Sequence, residues 1–142
     1  MTAEPESTGT SVRMEYQFSA EPKDGYLHVR VQGENHPSTI RRYLDELLQA
    51  CLREDCPNVL LEEDLEGPRL GLGDIFAIIQ EKSAAFRPVM QVVAYVDLRA
   101  TNPANMRFAE DAAVNRGVTL GVFRTVTDAE QWLKKKLSPP GA

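Results

Sequence analysis

The stretch LEEDLEGPRLGLGD, residues 61–74, gathers the residue types on which chemistry could rest. Glu62, Glu63, Asp64 and Glu66 come first. Gly67, Gly71 and Gly73 follow, with Arg69 between them and Asp74 at the end. Neighbouring carboxylates can hold a hard cation, and glycines that open a helix can cradle phosphate. The glycines here are spaced G-x-x-x-G-x-G, which matches neither the nucleotide-binding G-x-G-x-x-G nor G-x-x-x-x-G-K-[ST]. Asp74 would also occupy the helix start that an anion needs. The glycines therefore read as turn residues, placed where φ must be positive. A Mg²⁺ site of the receiver type would combine these acids with Asp97, at the end of the fourth predicted strand, and would want a lysine after the last strand. Arg124 is the only base there. The same acids equally suit a solvated loop, and neither a metal nor a cofactor is expected.

Nucleophilic catalysis finds little to work with. The chain has two histidines. His28 alternates with Leu27 and Val29 and is expected to face solvent. His36 precedes Pro37 at a helix start, and Ser38 lies in the first turn, where serine commonly serves as a cap. No G-x-S-x-G occurs. Cys51 and Cys56 fall five apart around a helix end, so a helical register would point them different ways. With no further cysteine to complete a zinc site, two free thiols are expected, Cys51 as a small buried hydrophobe.

These residues need elements to position them. MEYQFSA (14–20) and GYLHVRVQG (25–33) alternate in hydrophobicity around Pro22 and Gly25, which predicts a β-hairpin. Ile40, Tyr43, Leu44, Leu47, Leu48 and Cys51 make the stripe of a helix, with Pro37 first in and Pro57 as its stop. NVLLEE (58–63) is a short buried strand. Leu72, Ile75, Phe76 and Ile79 mark a second helix, capped by Asp74 and ended by Pro88. VMQVVAYVD (89–97) is a strand. Residues 101–117 read as a third helix, with Asn102 as N-cap and Gly117 as its stop. VTLGVF (118–123) is the fifth strand. The last helix opens on a capping box of Thr127 and Glu130, with Ala129, Trp132, Leu133 and Leu137 inward and Trp132 as a packing anchor. The order β-β-α-β-α-β-α-β-α implies an α/β fold: a five-stranded, mostly parallel sheet with an antiparallel N-terminal hairpin and flanking helices.

A chain of 142 residues suits one domain. Residues 14–137 are assigned to it, with 1–13 and 138–142 as disordered tails. A net charge of −5 argues against nucleic acid, whose phosphates need a basic surface. Lys134, Lys135 and Lys136 suit the negative end of a helix dipole instead. No apolar stretch reaches the roughly 20 residues that span a bilayer, so an integral membrane protein is not expected. The N-terminus shows no secretory pattern, which makes the cytoplasm the expected location.

The hairpin with its α/β alternation and the ending FAEDAAVNRGVTLGVFRTVTDAEQWLKKKL together resemble the SpoIIAA-like branch of the STAS superfamily. That superfamily includes bacterial anti-sigma factor antagonists and regulatory domains of transporters and sensors. Its fold is also similar to the lipid-binding subdomain of CRAL-TRIO proteins. The resemblance covers about residues 14–137. It implies that the third strand runs into a loop whose serine is phosphorylated by a partner kinase, and that this loop opens the second helix. Here the matching residues 59–76 contain no Ser, Thr or Tyr, and the nearest hydroxyls are Thr39, Tyr43 and Ser83. Leu72, Gly73 and Asp74 stand about where the phosphoacceptor would lie, so the serine switch does not carry over. Asp74 either mimics phosphoserine or simply caps the helix.

The expected function is a non-enzymatic regulatory or protein-interaction domain of STAS type, without the serine. Its candidate binding loop is Asp64, Glu66, Gly67, Arg69, Gly71, Gly73 and Asp74, where Arg69 offers a fork for a carboxylate. This loop is either the edge at which a protein partner binds or only a connector, and a homodimer is among the assemblies the chain could form. The alternative is a carrier or sensor of a small apolar or lipid-like ligand, held by Ile75, Phe76, Ile79, Tyr95 and Phe108. A third reading is an enzyme, which clustered buried carboxylates would favour. An exposed apolar patch over a solid core would favour the interaction domain.

Overall fold

The computed structural model describes residues 16–68, 70–99, 107, 111 and 119–138. The N-terminal tail, Arg69, Phe108 and most of the predicted third helix lie outside them. Of that helix only Arg107 and Asp111 are described, both helical and exposed.

Alternation builds the first hairpin as expected. Strand β1 (Tyr16–Pro22) pairs antiparallel with β2 (Leu27–Glu34). Gly25 turns the chain at φ 89°, a left-handed conformation open to glycine. Leu27, Val29 and Val31 point to one face and are fully buried. Helix α1 (Pro37–Glu54) follows, and His36 rather than a serine is its N-cap: the Ser38 N–H donates to His36 Nδ1 at 3.1 Å. Tyr43, Leu47 and Cys51 of its predicted stripe are buried, while Ile40, Leu44 and Leu48 pack partly buried beside them.

Strand β3 (Asn58–Glu66) is three residues longer than the apolar run suggested, because pairing with β2 continues through Gln32–Asp64 and Glu34–Glu66. Alternation explains the error. Leu61, Glu63 and Leu65 face inward, and Glu62, Asp64 and Glu66 face outward, so an acidic segment still makes a half-buried strand. Helix α2 (Leu72–Phe86), β4 (Val92–Asp97), β5 (Thr119–Phe123) and α3 (Val126–Leu137) complete the described elements. Strand β4 starts later than predicted, since Val89 and Met90 close the turn after α2 through bonds to the Phe86 carbonyl. The cap of α3 is also displaced: Thr125, not Thr127, accepts from the Asp128 N–H at 3.2 Å. Ser138, assigned to the tail, instead caps the end of α3 by donating to the Lys134 carbonyl.

The sheet runs β1-β2-β3-β4-β5, with every pair after the first parallel. Because successive strands are spatial neighbours, right-handed crossovers put α1 and α2 on the same face. There they enclose the larger core around Leu27, Val29, Tyr43, Leu47, Val59 and Leu61. Helix α3 covers the opposite face over β3, β4 and β5, where Leu60, Ala94, Val96, Ala129 and Leu133 are buried. Trp132 is half-buried there, 5.4 Å from the Phe123 ring. The bare backbone of Gly121 makes room for that ring.

Candidate functional site

The carboxyl ends of β3 and β4 and the first turn of α2 meet at one edge of the sheet, the edge at which open α/β sheets bind ligands. The backbone sets this corner. The Asn35 N–H donates to the Glu66 carbonyl at 2.7 Å, and the Asn35 side-chain amide donates to the Pro68 carbonyl at 2.6 Å. The Leu98 N–H reaches the Glu63 carbonyl at 3.1 Å, which brings the residues after β4 to the same corner. Gly67 turns the chain out of β3 at φ 108°.

The predicted binding loop divides into a strand end, a short turn and a helix start. Asp64 and Glu66 belong to β3, and Gly73 and Asp74 lie inside α2. The N-cap of α2 is Gly71, which makes no side-chain capping bond, so Asp74 is not the cap. It lies in the first turn, where a carboxylate still complements the positive end of the helix. Arg69 is outside the described residues. Arg99, which the sequence did not single out, grips Asp64 at 2.6 Å and approaches Glu66 at 3.8 Å. The hydrogen bond to Asp64 raises the Arg99 pKa further and keeps it charged.

The sequence expected Leu72 and Phe76 to face the core. They are instead 46% and 39% exposed, and Leu98, just past the end of β4, is 43% exposed. Helix α2 buries Ile78, Ser83 and Phe86, so the buried face is the predicted stripe rotated toward Ile78, with Leu72 and Phe76 left outside it. Ile75 is half-buried and Ile79 packs against the larger core. Phe76 is exposed on the helix, and Phe108, the remaining residue expected with Ile75, Ile79 and Tyr95 around an apolar ligand, lies outside the described residues.

Behind this edge, Glu63 is a carboxylate at 2% exposure. Val31, Glu63 and Asp97 form one row across β2, β3 and β4. Tyr43 of α1 donates to one Glu63 oxygen, and Tyr95 of β4 donates to the other at 2.5 Å. Burial, and then the charge of Glu63, pushes both phenols well above their usual value, so both stay protonated as donors. Sequence reading missed this trio because it weighed the acids together, as a metal site or a solvated loop, and did not sort them by the face of the strand. The inward parity of Leu61, Glu63 and Leu65 was the available signal.

His28 is a further correction. It is largely buried, pairing with Glu62 at 2.9 Å on the sheet face that α3 leaves open, with Arg30 at 3.5 Å from the same carboxylate. Glu62, Asp64 and Glu66 thus find partners in His28, Arg30 and Arg99. Among the described residues, no group of three or more His, Cys, Asp or Glu side chains is arranged to hold a metal ion. Nor is any helix among them long and apolar enough to cross a membrane.

The result is an α/β domain with a mixed five-stranded sheet, as the SpoIIAA-like resemblance implied, and with a glycine-turned edge carrying exposed apolar side chains. No family model matches the chain. No curated protein matches it either. Among solved structures, it is similar to the crystal structure of an anti-sigma factor antagonist from Mycobacterium paratuberculosis. The two are 18% identical, and the match covers 87% of this chain and 98% of that chain with a TM-score of 0.49.

Proposed function

We propose that the chain is a non-enzymatic, STAS-type interaction domain whose partner docks at the edge formed by the end of β3, the turn 67–71 and the start of α2, without a phosphoserine switch. The observation that carries this reading is the exposure of Leu72 and Leu98 at that edge, over a core already filled by other residues. Apolar side chains held at the surface on a rigid helix start lose water when a partner covers them, and that supplies binding energy. The absence of Ser, Thr and Tyr from residues 59–76 supports control by something other than phosphorylation there. The commitment of both Glu63 oxygens to phenols supports a packing role for the buried acid over acid–base catalysis.

The test is recovery of bound protein from the native host by tagged wild type, Leu72→Glu and Leu52→Glu. Leu52 is 54% exposed on α1, away from this edge, and serves as the control. Partners recovered by wild type and Leu52→Glu but lost with Leu72→Glu, at unchanged melting temperature, support the reading. Identical recovery by all three chains contradicts it.

A further inference from the structure

Cys51 and Cys56 straddle the end of α1, and a helix continued through both would turn their side chains apart. The helix does not continue. Asp55 takes φ 52° and ψ 47°, the left-handed conformation, and the chain doubles back. The Asp55 N–H donates to the Leu52 carbonyl at 3.3 Å and the Cys56 N–H donates to the Cys51 carbonyl at 3.0 Å. These two bonds are the Schellman closure of a helix, which sets the second residue past the end against the residue one turn back. That position is usually filled by an apolar pair. Here both members are cysteine, and both join the larger core.

The 3.0 Å bond between the two backbones limits the Cα separation to about 7 Å. Disulfides bridge Cα atoms about 4.4–6.8 Å apart. The two sulfurs are not bonded to each other in this structure. We propose that Cys51 and Cys56 are a reversible redox-modification site, forming an intramolecular disulfide by exchange with a small disulfide of the glutathione class. The site lies where α1 hands over to β3, at the edge of the sheet opposite the docking surface, and it is independent of that reading.

The two thiols have different roles. Cys56 is half-buried, and its Sγ donates to the Asn58 carbonyl at 3.4 Å. Cys51 is buried, and burial, with the neighbouring Cys56 adding to it, raises its pKa to about 11. Cys56 therefore attacks first. Its thiolate breaks the S–S bond of glutathione disulfide, forms a mixed disulfide and releases one glutathione thiolate. Cys51 then gives up its proton and attacks the Cys56 sulfur, which expels the second glutathione. One disulfide is reduced to two thiols while the protein dithiol is oxidised to a disulfide, so electrons and protons balance. Excess thiol reverses both steps.

The experiment uses the full chain with glutathione disulfide under native conditions, followed by intact mass and peptide mapping with thiol alkylation. The expected product is a monomer lighter by two hydrogens, with neither cysteine alkylated and a peptide linking Cys51 to Cys56. Dithiothreitol restores both thiols. Cys56→Ser takes up no glutathione, and Cys51→Ala stops with one glutathione on Cys56. Wild type that retains a single glutathione, links two chains, or keeps both thiols overturns the proposal. Since Cys51 is a core residue, the wild-type and Cys56→Ser results decide the matter if Cys51→Ala does not fold.

Discussion

Glu63 shows how much a single buried carboxylate asks of its surroundings. Taking a carboxylate out of water is costly unless strong donors replace the lost hydration. Tyr43 and Tyr95 supply them from a helix and a strand far apart in the chain. Tyr43→Phe removes one donor from a buried carboxylate, so it should cost about 1.5–3 kcal/mol in urea denaturation. Tyr26→Phe is the comparison. Its hydroxyl donates to Glu130 at 3.2 Å in a part-buried setting, and the loss should stay below about 1 kcal/mol. Equal effects would contradict the special role of the trio. The pH dependence follows from the same contacts. Tyr43 and Tyr95 have folded pKa values above the ordinary 10.0, and Tyr16 is pushed up to about 12 by burial and by Glu46. A raised folded value stabilises the native state fully at lower pH. That contribution is lost as pH rises past 10.0, because the unfolded chain then releases phenol protons more readily. Urea midpoints should be insensitive to these groups below that pH and fall above it, with phenolate absorbance appearing together with unfolding. Phenolate absorbance from all four tyrosines in a chain that is still folded would contradict the burial.

The elements around the edge make the glycines unequal. Gly67 sits at φ 108°, where a side chain is strained although nothing lies within 4 Å of its Cβ position. Gly67→Ala should cost on the order of 1–2 kcal/mol. Gly71 has the extended backbone of an N-cap, and Gly73 lies within the first turn of α2, both with open space for a Cβ. Gly73→Ala should gain roughly 0.5–1 kcal/mol from helix propensity. Gly71→Ala should cost roughly 0.5–1 kcal/mol, since glycine is favoured over alanine at an N-cap. Melting temperatures of the three variants check this ordering, and destabilisation by Gly73→Ala would overturn it. The elements themselves were legible where hydrophobic period and punctuation agreed, as in the hairpin, α1 and β5. They were misread where chemistry and period parted. Asp64 and Glu66 were left outside the predicted strand, although their alternation with Leu65 was that of a strand. In α2, Leu72, Ile75 and Phe76 are spaced like a core stripe, but only contact with the rest of the molecule selects Ile78 and Phe86 as the buried side. The cap of α3 was placed two residues late because Thr125 and Thr127 both fit a capping pattern, Thr125 with Asp128 and Thr127 with Glu130.

At the scale of the whole molecule, one sheet divides two jobs. Its face under α1 and α2 carries the larger core, and α3 closes part of the other face, so the carboxyl edge is free to differ chemically from the rest. The sequence located that edge through Gly67, Gly71 and Asp74. It could not show that Leu72 and Leu98 stand at the surface, because exposure depends on which helix face the fold buries. Nor could it show that Arg99 grips Asp64, because that contact joins segments 35 residues apart. Docking of a partner at this edge is open to direct test. The most direct measurement is hydrogen–deuterium exchange of the full chain with and without a partner recovered by the wild-type protein. Docking at this edge slows exchange across residues 66–76 and at Leu98, with β1 and α3 unchanged. Protection confined to β1 or to the open face around His28 and Arg30, with residues 66–76 unaffected, would contradict it.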